Sequence, residues 1–317
     1  MFELKDSLCE LPQTNRIIDD AALAAGQIPS VQVSRWQQYA RQVSIPHAGG
    51  RLLIHHWQAG WVNGQAPVVL LHGGSGSWTH WVRSIAPLMA AGHDVWAIDL
   101  PGFGDSDAIP GVMDADGMLE TLATALQILF RQQPVQLVGF SFGAMTAGML
   151  VARYPHLAQH LVLVGAPGLG INVHPPLRLK GWRHLKEPCA QLACHLFNLK
   201  TLMLVHPSNL DQDTLALHIA NVQRDNLPRR RLSSTDVLSH ALAEIVCPVT
   251  AIYGEHDALY PELLDDIQAH MAARIRHFEG LHRISAAGHW VQYESPAAFH
   301  TVLLPRLMRP HQKACAS

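Results

Sequence analysis

The chain has 317 residues, 48% of them hydrophobic and 15% charged, with a formal net charge of −2. A chain of this length buries about 75% of its unfolded surface and needs no disulfides to hold a core. The near-neutral balance lacks the basic footprint of a nucleic-acid binder.

The five cysteines, Cys9, Cys189, Cys194, Cys247 and Cys315, are odd in number and scattered. No C-x-x-C pair occurs among them, which argues against a zinc or redox motif. Reduced thiols in a cytoplasmic setting are the simplest expectation. The first residues carry no basic stretch followed by an apolar run, so no signal peptide is expected. No apolar run reaches the roughly 18 residues of a membrane span. Most of the 21 histidines are isolated, and His55 and His56 adjoin in a predicted strand, where neighbours point to opposite faces. A metal site is not expected among them. Assembly into a homo-oligomer is left open.

Residues 1–41 show no clean alternation and read as an N-terminal extension, with a short helix near Ala21–Ala25. Gln42–Pro46 and Arg51–Trp57 read as two strands joined at the Gly49-Gly50 turn. The apolar runs Pro67–Leu71, Asp94–Ile98, Val135–Val138, Leu161–Val164 and Val249–Tyr253 fit strands buried on both faces. Helical stripes lie between them. Trp81, Ile85, Leu88 and Met89 form one, which Pro87 should kink or split. Leu119, Leu122, Leu126 and Leu129 form another, and Phe142–Tyr154 a third, ended by Pro155.

Strand alternating with helix predicts an α/β fold with a mostly parallel central sheet flanked by helices. The rhythm stops over 168–246, which is rich in helical patterns. This stretch reads as a helical cap inserted into a core made of 42–167 and 247–317, with a last helix near Pro296–Met308.

The strongest local signal is Gly139-Phe140-Ser141-Phe142-Gly143, which follows the apolar strand VQLV and opens a helix. This is the context that a G-x-S-x-G nucleophile elbow requires. A serine at a sharp strand-to-helix turn exposes its hydroxyl, and the flanking glycines remove side chains that would collide there. The amide of Phe142 would face the site from the start of the helix, where the dipole favours an oxyanion.

On these residues the chain resembles the α/β-hydrolase family. His72-Gly73-Gly74-Ser75-Gly76 ends the third predicted strand and is similar to the family's His-Gly loop. The resemblance implies a second oxyanion-hole amide from Gly74 or Ser75. Neither G-x-x-x-x-G-K-[ST] nor G-x-G-x-x-G is present, which disfavours nucleotide binding. Asp99-Leu100-Pro101-Gly102-Phe103-Gly104-Asp105-Ser106 resembles the family's turn after the fourth strand, and its aspartates read as loop-shaping caps.

The acid and then the histidine should follow in chain order. Ile252-Tyr253-Gly254-Glu255-His256-Asp257 resembles the family's acid loop, with Asp257 in the acid position and Glu255 as the rival. Gly165-Ala166-Pro167-Gly168, the family's alternative acid site, holds no carboxylate. Ala287-Gly288-His289-Trp290 resembles the histidine loop. The expected catalytic set is therefore Ser141, Asp257 and His289, with an oxyanion hole from Gly74 and Phe142. Ser75, Phe140 and Trp290 are candidates for the substrate pocket.

The stretch Gly288-His289-Trp290-Val291-Gln292-Tyr293-Glu294 also looks like the G-H-W-x-Q-x-E segment of carbon–carbon hydrolases that cleave ring-fission products of aromatic compounds. The elbow departs from that subgroup, with G-F-S-F-G-A in place of a pattern near G-N-S-M-G-G. The oxyanion loop departs as well, lacking the usual G-P-G-A segment. The preferred expectation is a serine hydrolase that cleaves carboxylic esters through an acyl-enzyme, with a small-molecule substrate as its partner and no organic cofactor. Carbon–carbon hydrolysis is the first alternative, and acyl transfer or ligand binding on the same fold stand behind it.

Overall fold

The computed structural model describes residues 19–60, 64–131, 133–171, 177–227 and 229–308. Most of the first half of the predicted N-terminal extension, together with Cys9 and Cys315, lies outside these residues.

Among the described residues eight strands form one sheet: β1 (Arg41–His47), β2 (Gly50–Trp57), β3 (Val68–Leu71), β4 (Val95–Ile98), β5 (Val135–Phe140), β6 (Ala158–Val164), β7 (Val249–Gly254) and β8 (Phe278–Ile284). Their order is β1-β2-β4-β3-β5-β6-β7-β8. The pairs β1–β2 and β2–β4 are antiparallel and the others parallel. The helices are α1 (Asp20–Ala24), α2 (Val31–Gln37), α3 (Ile85–Ala90), α4 (Leu119–Phe130), α5 (Phe142–Arg153), α6 (Pro188–Asn198), α7 (Gln212–Gln223), α8 (Val237–Ala241), α9 (Leu264–Ala272), α10 (Val291–Glu294) and α11 (Pro296–Leu307).

Side chains of the central strands alternate between two apolar layers, as the pleat requires. Leu71, Leu137, Leu163 and Ala251 pack with Leu122, Met145, Leu150 and Met271 on one face. Leu70, Val138, Val162 and Ile252 pack with Leu88, Phe299 and Leu303 on the other, in a layer that continues into Leu196 and Ile219 of α6 and α7.

Parallel pairing aligns the carboxyl ends of the strands. Leu71 lies opposite Gly139, Phe140 opposite Val164, Val164 opposite Ile252, and Gly254 opposite Ile284. The loops after β3, β5, β6, β7 and β8 therefore open on one edge, where open α/β sheets place their sites.

Three local outcomes differ from the sequence reading or sharpen it. Helix α3 starts at Ile85, so Pro87 falls in its first turn, where a missing N–H costs little. The split falls upstream instead, at a separate 3-10 turn over Trp78–Trp81. Helix α2 was not anticipated. The Ser30 hydroxyl caps it by accepting from the Val33 amide, but no α2 residue is fully buried, so its apolar stripe is thin. Between β6 and β7 the described residues contain helices and no strand, including a π-helical turn over Leu199–Met203.

Candidate active site

Ser141 stands between β5 and α5 with φ 51° and ψ −118°, a conformation that side chains other than glycine rarely adopt. Its amide donates to the Val164 carbonyl at 2.8 Å, which ties the turn to β6. The flanking glycines are steric necessities. A Cβ on Gly139 would fall 2.4 Å from the Gly143 carbonyl oxygen, and one on Gly143 would fall 2.4 Å from that of His72. Ser141 remains partly exposed while its neighbours on both sides are buried.

The Ser141 hydroxyl lies 2.9 Å from His289 Nε2, and His289 Nδ1 lies 2.9 Å from both carboxylate oxygens of Asp257. His289 and Asp257 are each 1% exposed. Asp257 Oδ1 also accepts from the Leu259 amide at 2.9 Å, so the carboxylate is fixed by its own loop. Gly165, at φ 55°, makes room for the pair: a Cβ there would lie 3.0 Å from the His289 ring and 3.2 Å from Asp257 Oδ2. Glu255 points elsewhere. It is exposed, and its carboxylate accepts from the Ala286 amide at 3.3 Å.

The His-Gly loop folds over the elbow. A Cβ on Gly73 would lie 3.2 Å from Ser141 Cβ, and one on Gly74 would lie 3.7 Å from Phe142 Cβ. Phe142 opens α5, so its amide has no partner within the helix. Two histidines orient the Gly73 peptides. His72 Nδ1 donates to the Gly73 carbonyl at 2.7 Å while its Nε2 accepts from the Leu100 amide at 2.9 Å. His80 Nδ1 accepts from the Gly73 amide at 3.2 Å. Burial holds both rings below the usual histidine range, which keeps them neutral and suited to these roles.

Ser75, Phe140 and Trp290 all lie near the elbow or the histidine, in different settings. The Phe140 ring is fully buried 5.0 Å from the His289 ring. Trp290 is also fully buried, stacked 4.0 Å from Tyr293, and its indole N–H donates to the His80 carbonyl at 3.0 Å. Ser75 belongs to a polar cluster that no motif announced. Its hydroxyl donates to Asp225 Oδ2 at 2.5 Å, and Arg230 grips both Asp225 oxygens at 2.8 and 3.0 Å. The guanidinium also lies 4.9 Å from the Phe103 ring. Burial alone would raise the Asp225 pKa, but the Arg230 and Ser75 contacts outweigh it and hold the carboxyl below its usual range.

Asp99 takes the loop-shaping role expected of it, accepting from the Trp78 and Asp105 amides at 2.7 and 3.0 Å. Among the described residues, His55, Asp99 and Asp105 are close enough to share an ion. Both Asp99 oxygens are nevertheless held by those amides, and Asp105 pairs with Arg224 at 2.9 Å. No helix of the described residues is long and apolar enough to cross a membrane.

Residues 66–187 match the family model described as alpha/beta hydrolase fold. The chain is 28% identical over 293 residues to a 2-hydroxy-6-oxononadienedioate/2-hydroxy-6-oxononatrienedioate hydrolase of Escherichia coli, covering 86% of this chain and 96% of the relative. Among solved structures it resembles carboxylesterase CesB of Bacillus subtilis, with a TM-score of 0.69, 18% identity and coverage of 91% of this chain and 98% of the other. It also resembles a meta-cleavage product hydrolase of Pseudomonas fluorescens IP01, with a TM-score of 0.67, 22% identity and coverage of 83% and 96%. With the mostly parallel eight-stranded sheet and its aligned loops, these likenesses show that the chain is an enzyme with the α/β-hydrolase fold, similar to hydrolases of that fold.

Proposed function

We propose that Ser141, His289 and Asp257 work as a catalytic triad that hydrolyses carboxylic esters of small molecules through an acyl-enzyme. The observation that carries this reading is the unbroken run of 2.9 Å contacts from the Ser141 hydroxyl through His289 to Asp257.

As Ser141 Oγ attacks the substrate carbonyl carbon, its proton passes to His289 Nε2. Asp257 accepts from Nδ1–H, so it fixes the tautomer and stabilises the imidazolium that forms. Charge develops on the carbonyl oxygen beside the amides of Phe142 and Gly74. Each such donor is worth about 2.7–4 kcal/mol in the transition state. His289 returns the proton to the leaving alcohol, then draws one from the water that attacks the acyl carbon and hands it to Ser141 Oγ as the acyl–Ser141 bond breaks and the acid leaves. These steps call on no metal or organic cofactor. In this reading the helices between β6 and β7 form a cap over the site. Contacts of Arg230 and Asp225 with the oxyanion loop support that role.

Carbon–carbon hydrolysis of vinylogous diketones is the second reading, favoured by the Gly288–Glu294 stretch and by the name of the Escherichia coli relative. The Arg230–Asp225 pair weighs toward esters, because the Arg230 cation beside the oxyanion loop is already paired with a carboxylate. A cytoplasmic setting is consistent with Cys189, Cys194 and Cys247 being free.

Mass spectrometry after fluorophosphonate treatment tests the nucleophile, with an adduct expected on the Ser141 peptide. Folded protein that takes no adduct overturns the reading. Comparing kcat/KM for aryl esters and for a vinylogous diketone then decides which bond is cleaved.

A further inference from the structure

Glu294, at the end of α10, is 6% exposed and carries a carboxylate that no catalytic step above uses. Both of its oxygens are taken by backbone amides. Oε2 accepts from Gly288 at 2.6 Å, directly before His289. Oε1 accepts from Val205 at 2.7 Å and from His206 at 2.6 Å, nearly ninety residues away in the helical segment between β6 and β7. Bonds from amides to a buried carboxylate are short and about twice as strong as neutral ones.

The same two segments meet again on the other side of the histidine. The Trp290 amide donates to the Met203 carbonyl at 2.9 Å. A Cβ on Gly288 would fall 3.0 Å from Val205 Cγ2 and 3.1 Å from the Met203 carbonyl oxygen, so the glycine allows the close approach. Met203 closes the π-helical turn, an irregularity often found at functional positions. His289 is therefore flanked by Gly288 and Trp290, both tethered to residues 203–206.

We propose that Glu294 is a positioning residue that clasps the His289 loop to the inserted helices and so sets the imidazole against Ser141. This inference rests on His289 being the base. A displacement near 1 Å at a reacting group costs up to about 100-fold in rate. A glutamine at 294 keeps the shape but presents an NH2 where an acceptor is needed, so one side of the clasp must open. An aspartate keeps both acceptors on a shorter arm.

The test is the rate of fluorophosphonate labelling of full-length wild type, Glu294→Gln and Glu294→Asp, resolved into the maximal rate and the half-saturating probe concentration, with melting followed in parallel. The maximal rate per folded molecule should fall between about 10- and 100-fold in Glu294→Gln, with half-saturation within about twofold. Glu294→Asp should recover part of that loss. A residue that only stabilises the fold would lower the melting temperature and leave the maximal rate unchanged, and that result overturns the proposal. If the glutamine variant does not fold, a wild-type maximal rate in Glu294→Asp overturns it equally. Failure of the underlying function has a separate signature: wild type itself is not labelled, or His289→Ala is labelled at the wild-type rate.

Discussion

His289 presents its Nδ1 at equal distances of 2.9 Å to the two carboxylate oxygens of Asp257, and neither side chain reaches solvent. An asparagine would preserve this shape while offering the wrong hydrogen-bond polarity on one side. Asp257→Asn should lower kcat on an ester by about 10⁴-fold with the fold intact. Glu255→Gln should stay within a few-fold of wild type, because that exposed carboxylate accepts from the Ala286 amide and not from His289. Steady-state kinetics on the two variants separates the rival acids. Equal losses would sink the assignment of Asp257.

The strain at Ser141 makes a paired prediction about activity and stability. Ser141→Ala and Ser141→Gly should both lose on the order of 10⁶-fold in kcat, since neither leaves a nucleophile. Their stabilities should differ. Holding a side chain at φ 51° costs about 1–3 kcal/mol, and glycine is released from that cost. Part of the gain is offset by the greater freedom of glycine in the unfolded chain, about 0.5–1 kcal/mol. Ser141→Gly should therefore melt above Ser141→Ala in calorimetry. The reverse order would mean that the turn is unstrained.

Gly143 offers a steric test of the elbow. A methyl group there would lie 2.4 Å from the His72 carbonyl oxygen and 2.5 Å from that of Leu71, both backbone atoms without a rotamer to change. Gly143→Ala should destabilise the fold by about 1–3 kcal/mol, as overpacking does. It should also slow labelling of Ser141, because the same clash pushes the His72–Gly76 loop away from Phe142. A denaturant midpoint and a labelling rate both equal to wild type would refute the tight approach.

The central strands and the serine, acid and histidine positions were legible in the sequence for one physical reason. A parallel sheet buried on both faces writes its strands as short apolar runs, and its site residues sit in the loops right after them, framed by glycines that close backbone contact requires. Ser141, Asp257 and His289 all fall in such loops. Arg230 did not announce itself, because Arg229-Arg230-Arg231 has the composition of a solvated charge run. Its partners Asp225 and Ser75 are fixed only when the helical segment meets the sheet. Helix α2 was hidden by the same limit, since its stripe packs without fully burying any residue. Glu294 stood inside a recognised stretch, but its work lies across 88 residues of chain at His206, beyond any local pattern.

Buried neutral histidines should make the fold sensitive to acid. Both ring nitrogens of His195 are buried without hydrogen-bond partners among the described residues, between Trp182 and His218. Burial lowers its pKa to about 4, and burial together with the charge of His195 lowers that of His218 to about 3. In the unfolded chain both titrate near 6.5. Between these values the unfolded state binds more protons than the folded one, so stability must fall as pH drops from about 6.5 toward 4. For His195 alone the difference amounts to something on the order of 3 kcal/mol. Urea midpoints measured from pH 7.5 to 4 should therefore decline steadily in wild type. His195→Leu, which keeps an apolar filling without a titrating ring, should decline less over the same range. Parallel curves for the two proteins would show that His195 is not the group that resists protonation.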